Sequence, residues 1–311
     1  MIRELPIGLF GAVMGLAGLG LSARAAASLF PGVFRAPAYF TELWVFLGLV
    51  AFVVLSVGYA IKIFRYPSVV REEFTNPVKI GFCGTLPVGM TLVAGGLAPY
   101  LPSIAGFLWW GSAALLLAFQ VWALYRWLCG GIELGQVNAG WLVILVGGIV
   151  VPGPGIALGQ LEASRFLFGV SAAATPLLMA LLFFRAVLGP PMAEALRPSW
   201  FILLVPPSLI YANGAALFPE LAFLENLYFF GLVLAAALLV YARRFWRWPF
   251  TAAWWAFTFP LDALAYAAAR YAQEHRSPVW TALAGIALAL ATLFVALALW
   301  KTLRSAASRA A

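Results

Sequence analysis

Residues 39–64 read YFTELWVFLGLVAFVVLSVGYAIKIF, and between Glu42 and Lys62 there is no charge. A helix that crosses the hydrocarbon core of a bilayer needs roughly 20 mostly apolar residues, and this stretch supplies them. The rest of the chain repeats the pattern. Of 311 residues, 64% are hydrophobic and 10% are charged, and the mean hydropathy is +0.98. Soluble domains carry about 25% charged residues because their surface faces water; this chain has too few for that. A membrane barrel would show short segments with a period of two, whereas the runs here are long and unbroken. The class is all-α integral membrane protein.

Apolar runs separated by polar and turn residues predict ten helices in one transmembrane domain covering 1–311: 5–23, 39–64, 78–98, 103–128, 137–159, 163–188, 199–218, 221–243, 252–273 and 278–303. The first could pass for a secretory signal, since Arg3 precedes an apolar run that ends in Ala23-Arg24-Ala25. Glu4, Pro6 and the series Gly8, Gly11, Gly15, Gly18 and Gly20 do not suit one, so a retained helix is expected. With the N-terminus inside, Lys and Arg divide fourteen to five in favour of the cytoplasm, Arg24, Arg35, Arg165, Arg270 and Arg276 being the five. Such a bias requires an even number of helices and puts both termini in the cytoplasm.

The net charge of +8 does not point to nucleic acid, because the basic residues sit at helix ends and not in one patch. Trp44, Trp109, Trp110, Trp127, Trp200, Trp246, Trp248 and Trp300 fall near those ends too, as an interfacial belt would. Cys83 and Cys129 have no ligand spacing and read as buried free thiols. With one histidine, His275, no His/Cys metal site can be assembled, and no cofactor is expected. The motifs of an intramembrane enzyme are missing as well: there is no HExxH, paired-acid or Ser/His arrangement.

Proline divides the helices. Every odd one has proline within it or at its start (Pro6, Pro87, Pro152 with Pro154, Pro206 with Pro207, Pro260), while among the even ones only the sixth has an interior proline, Pro176. An interior proline removes a backbone hydrogen bond and kinks the helix. In lipid such backbone is tolerated where it faces protein or a water-filled cavity. Five kinked inner helices and five straighter outer ones, arranged as five hairpins, are therefore expected.

Several segments carry a resemblance. Leu5-Pro6-Ile7-Gly8-Leu9-Phe10-Gly11, the run from Glu73 to Lys79 leading into Leu86-Pro87-Val88-Gly89-Met90, and above all Trp254-Trp255-Ala256-Phe257-Thr258-Phe259-Pro260-Leu261 resemble the tellurite-resistance/dicarboxylate transporter family. That family includes bacterial TehA and the slow anion channels of plant guard cells. The resemblance spans essentially the whole chain, with tails too short for the plant regulatory extensions. It implies a homotrimer in a bacterial inner (plasma) membrane, each protomer having its own pore on the axis of the five hairpins. It also implies that a phenylalanine, Phe259 on the matching motif, occludes the pore. Gly8, Gly11, Pro6, Pro87, Pro206 and Pro260 correspond to the family's first-helix glycines and kink prolines, with Pro152 the proline of the fifth helix. The chain departs from the pattern at Gly148, where relatives often have Asn, and at Asp262, where the plant channels have an uncharged residue.

The pore-facing stretches are rich in Gly, Ala, Ser and Thr and carry no Lys or Arg at mid-depth. Neutral walls with exposed backbone dipoles let small anions such as chloride or nitrate enter without trapping them. A carrier of sulfite, tellurite-type oxyanions or C4-dicarboxylates, driven by protons, is the alternative; a dicarboxylate site would usually want an arginine clamp. Asp262 is the only acid well inside an apolar span, and its position three residues after Phe259 puts it on roughly the same helix face. It reads as a proton-sensing carboxylate or as a structural acid, held by hydroxyls or the kinked backbone or paired with a buried base. Tyr211, Asn213 and Gln120 read as helix-to-helix hydrogen-bonding groups, Glu220, Glu225 and Asn226 as a solvated outer end, and Glu72 and Glu73 as part of a cytoplasmic loop.

Overall fold

The computed structural model describes residues 2–31 and 38–310; Arg35 lies outside them. Among the described residues there are twelve α-helices and no strand. They are α1 (Gly11–Ala26), α2 (Ala38–Arg65), α3 (Pro67–Thr75), α4 (Thr85–Leu97), α5 (Pro102–Leu128), α6 (Gly140–Leu145), α7 (Pro152–Ala157), α8 (Leu161–Leu188), α9 (Val205–Leu217), α10 (Glu225–Tyr241), α11 (Thr258–His275) and α12 (Pro278–Ala310). Eight helical segments among the described residues are long and apolar enough to cross a membrane.

Those eight sort by burial. In the segments Ile7–Leu29, Ile80–Leu97 and Glu194–Leu217 the most apolar stretch is 78%, 72% and 78% buried, against 22% to 39% in the five others. All three buried segments change helix type, as does the more exposed Ala222–Tyr241, where Ala222–Leu224 leads into α10. Each of the three begins in a 3₁₀ stretch (Ile7–Phe10, Ile80–Gly84, Glu194–Leu204) and continues as α1, α4 or α9. The same change, from Ala252–Ala256 into α11, marks the segment expected at 252–273.

Proline explains the change of type at α4, α9 and α11, though not as the interior kinks expected from sequence; α1 has no proline, and Pro6 instead precedes its 3₁₀ entrance. Pro87, Pro206 and Pro260 fall in the first turn of α4, α9 and α11, and Pro152 begins α7. Proline is at home in a first turn, where its missing N–H is not needed, but its ring obstructs the carbonyl of residue i−4. The chain just before it therefore winds in tighter 3₁₀ turns. In α8, by contrast, Pro176 lies inside a continuous helix.

The segment expected as one helix over 137–159 is broken into α6, a 3₁₀ turn Gly147–Ile149, and α7. Its freed backbone groups are answered by side chains from other helices. Gln120 of α5 and Ser171 of α8 donate to the Leu145 carbonyl, Asn213 of α9 to Ile149 and the Trp109 indole of α5 to Val151. The Gly148 N–H in turn donates to the Ser171 hydroxyl. Broken backbone survives in an apolar setting only with such partners, and this is what Gln120 and Asn213 are for.

The buried segments touch one another in a closed cycle. α1 contacts α4 and α11, the 3₁₀ stretch Ile80–Gly84 contacts α6, α9 contacts α11, and α6 meets the stretch Glu194–Leu204. Glycine permits the closest of these approaches. A Cβ on Gly81 would lie 2.4 Å from the carbonyl carbon of Gly140, and one on Gly84 2.6 Å from Ile144 Cα. The continuous helices pack outside, α2 on α1, α5 on α4, α8 on α7, α10 on α9 and α12 on α11, with large apolar side chains such as Phe46, Phe107, Leu177 and Val233 exposed.

Three smaller expectations change. Trp110, Trp246 and Trp300 are exposed as belt residues should be, but Trp44, Trp109, Trp200 and Trp248 are buried. Cys83 is a buried thiol, whereas Cys129, at the end of α5, is exposed. Glu73 is not solvated loop: it is buried beside Lys62.

Candidate functional site

A cavity of about 760 Å³ opens at the end of the molecule that carries the N-terminus, among Arg3, Glu4, Lys62, Glu72, Glu73 and Lys79. The first halves of five segments wall it, and the last wall residue of each is Met14, Val88, Val150, Pro206 and Pro260. Beyond those positions no described residue of any of the five reaches it. The cavity therefore stops part-way through the molecule, and Phe259 is among the last residues of its wall.

Its mouth carries three basic and three acidic side chains, unequally committed. Lys62 and Glu73 form a buried ion pair at 2.9 Å, and Glu73 accepts a further hydrogen bond from the Tyr59 hydroxyl at 2.7 Å. The Lys62 ammonium also donates to the Leu5 carbonyl at 2.7 Å, so one side chain ties α2 to the chain entering α1 and to α3. Lys79 meets Glu72 at 2.8 Å in a pair open to solvent. The hydrogen bond from that ammonium holds the Glu72 carboxyl below the usual carboxylate range. Helical segments also enter the cavity wall by their N-terminal ends, near Ile7, Ala195 and Ala252, and the partial positive charge of a helix N-terminus favours anions.

Further in, charge disappears. The inner wall is Met14, Val143, Val146, Gly147, Val205 and Phe259, with Thr85 the polar exception nearest to them. The Thr85 hydroxyl is itself held by the Ile7 and Phe82 carbonyls. Phe259, 5% exposed, lies against Gly18 of α1: a Cβ there would sit 3.0 Å from ring carbon Cδ2. One turn along α11, Asp262 is 1% exposed, and neither carboxyl oxygen has a hydrogen-bond partner among the described residues.

The residues singled out from sequence separate here. Pro6, Gly8, Gly11, Pro206, Phe259 and Pro260 come together on the cavity wall. Pro87 and Pro152 are buried behind it, and Asp262 lies beyond its blind end. Tyr211 donates to Glu274 at 2.8 Å at the opposite face, and Gln120 and Asn213 serve the broken segment. Sequence reasoning passed over the Lys62–Glu73–Tyr59 cluster and Phe82. Phe82 lines the cavity between Gly8 and Gly140, where added Cβ atoms would come within 3.3 and 2.8 Å of its side chain. Only the rarity of a lysine at the end of an apolar run hinted at the first. Nothing local marked the second, one of 25 phenylalanines.

Comparison with known proteins places the chain among anion channels. A family model described as voltage-dependent anion channel matches residues 4–303. The S-type anion channel SLAH3 of Arabidopsis thaliana is 25% identical over 93% of the chain and 46% of its own length. The guard cell S-type anion channel SLAC1 of the same plant is 24% identical over 88% of the chain and 50% of its own length. An uncharacterized transporter of Methanocaldococcus jannaschii is 24% identical, with 70% and 71% covered. The chain thus spans about half the length of these plant relatives.

Proposed function

The chain belongs to the SLAC1 family of voltage-dependent anion channels, and on that premise we propose that it is a gated pathway for small inorganic anions such as chloride or nitrate. The family is one of channels and transporters rather than enzymes, and this member is a multi-pass membrane protein. In our reading the whole chain is one transmembrane domain. Ten segments cross the bilayer as five hairpins, the two beyond the eight long apolar helices being the broken segment around α6 and α7 and the α11 segment. Three copies assemble, each with its own pore, in a bacterial plasma membrane with both termini in the cytoplasm.

The observation that carries the proposal is the cavity that enters from the charged end and stops part-way through, with Phe259 among the last residues of its wall. An anion meets Arg3, Lys79 and helix N-termini at the mouth and then a neutral, largely apolar neck. Such a neck passes a weakly hydrated monovalent anion more readily than one that must be held by charge. The ring of Phe259 is the plug: it closes the neck by excluding water, and its rotation opens it. The prolines and glycines of the wall (Pro6, Gly8, Gly11, Pro206 and Pro260, with Pro87 and Pro152 behind) shape the neck by holding the 3₁₀-to-α junctions.

A proton-driven carrier of sulfite, tellurite-type oxyanions or dicarboxylates is less well supported, since among the described residues no arginine or lysine lines the inner part of the cavity to clamp a divalent substrate. The purified chain in a planar bilayer under ion substitution separates the two. A current that reverses at the anion's Nernst potential supports the channel; a reversal that moves with pH at fixed anion gradients overturns it.

A further inference from the structure

Asp262 is a buried charge site that the pathway described so far does not use. Its two carboxyl oxygens have no hydrogen-bond partner among the described residues, and the residue is 1% exposed. The hydroxyl of Ser22, which reaches the Asp262 backbone, is engaged with the carbonyls of Gly18 and Asp262 itself, both at 2.8 Å. A hydroxyl has one hydrogen to give, so it does not serve the carboxyl as well.

The location matters as much as the isolation. A Cβ built on Gly18 would lie 2.9 Å from Asp262 Oδ2 and 3.0 Å from Phe259 Cδ2. The carboxyl and the edge of the ring therefore face the same bare patch of α1, within about 6 Å of each other. They share one helix, one turn apart, at the level where the cavity ends.

Among the described residues, no charge nearby compensates. Among the described side chains, the elements packed against α11 carry these titratable or charged groups: Arg24 on α1, Tyr211 on α9, Glu225, Tyr228 and Tyr241 on α10, Glu194 and Arg197 in the 3₁₀ stretch, and Lys301 and Arg304 on α12. α11 itself adds Tyr266, Arg270, Tyr271, Glu274 and His275. Arg24 is paired with Glu42, Arg197 with Glu194, Arg270 with Glu274 and His275 with Glu225. Tyr211 donates to Glu274, and Lys301 and Arg304 lie over the rings of Trp254 and Trp300. None of these reaches Asp262.

We propose that Asp262 is the proton-binding site that regulates passage at Phe259, its neutral form permitting anions to pass and its ionised form blocking them. The proposal rests on the reading of the cavity as an anion pathway. A lone carboxylate without donors is costly in an apolar interior, and the proton is the ligand that removes the charge. Ionised, it sets a negative charge beside Phe259, just beyond the inner end of the cavity, where little water screens it. Neutral, it leaves the neck as uncharged as the rest of the inner wall. Flux then rises as pH falls, by up to about tenfold per pH unit, the limit for a single proton per pore.

The test is anion flux in proteoliposomes, at a series of equal internal and external pH values, for the wild type, Asp262→Asn, Asp262→Glu and Phe259→Ala. Asparagine copies the neutral form, so Asp262→Asn is expected to hold the acid-side flux at every pH, while Asp262→Glu keeps a pH dependence. Infrared difference spectra between acid and alkaline samples give an independent readout. The carboxylic-acid C=O band of the wild type is expected to be missing in Asp262→Asn whether or not that variant conducts. Unchanged pH dependence in Asp262→Asn, a wild-type flux that falls on acidification, or the same C=O band in both proteins overturns the proposal. Absence of anion flux in all four proteins, Phe259→Ala included, overturns instead the anion pathway on which it rests.

Discussion

Glu73→Gln removes the counter-charge of a lysine that has nowhere else to turn. Lys62 is 1% exposed and holds Glu73 at 2.9 Å and the Leu5 carbonyl at 2.7 Å. Breaking a buried pair from one side costs about 3–5 kcal/mol because a bare charge is left behind. The Leu5 carbonyl still accepts from the ammonium, and glutamine still accepts from the Tyr59 hydroxyl, which places the loss at the lower end, about 3 kcal/mol. With an unfolding entropy of about 2.1 cal/mol/K per residue, that corresponds to a fall of about 5 °C in the melting temperature of the purified protein in detergent. Lys62→Met alone strands the glutamate and is expected to cost a similar amount. The double variant Lys62→Met/Glu73→Gln buries no charge and should recover to within about 2 °C of the wild type, since replacing a buried pair is often nearly neutral. A double variant that loses the sum of the two single losses would refute the claim that the residues act as one pair.

Gly81→Ala should prevent stable folding, because its Cβ meets the backbone of Gly140 at 2.4 Å; Gly106→Ala, with nothing within 4 Å, is the control and should express and melt like the wild type. Gln120→Leu withdraws a donor from the Leu145 carbonyl, which keeps Ser171, so a loss of about 0.6 kcal/mol, the average for such bonds within a membrane, is expected in thermal unfolding. A maleimide too polar to cross the bilayer should label Cys129 in the folded protein and Cys83 only after unfolding.

Much of this architecture was legible because lipid imposes a simple rule on sequence. The runs 39–64, 103–128, 163–188 and 278–303 match α2, α5, α8 and α12 closely at their starts, since an exposed continuous helix has only its apolar length to satisfy. The buried segments were harder. Gly147, Gly148 and Pro152 break the stretch 137–159, and whether a break is tolerable depends on Gln120, Asn213, Ser171 and Trp109, all remote in sequence. Pro87, Pro206 and Pro260 announced distortion correctly, but its form, a 3₁₀ entrance leading to a first-turn proline, comes from the packing of neighbours. The same holds at the site. Phe259 and the wall glycines could be picked out by motif. The burial of Glu73 and the place of Phe82 between two glycines depend on tertiary contacts that no local pattern records.

The central claim is that the Phe259 ring closes an otherwise continuous anion path, and single-channel or macroscopic current from Phe259→Ala in a planar bilayer tests it most directly. Lowering a barrier by as little as about 1.4 kcal/mol raises a rate about tenfold, so the account predicts a conductance at least that much above the wild type, reversing at the anion's Nernst potential. A folded Phe259→Ala protein whose conductance equals the wild type's, or whose current follows the cation gradient, would contradict it.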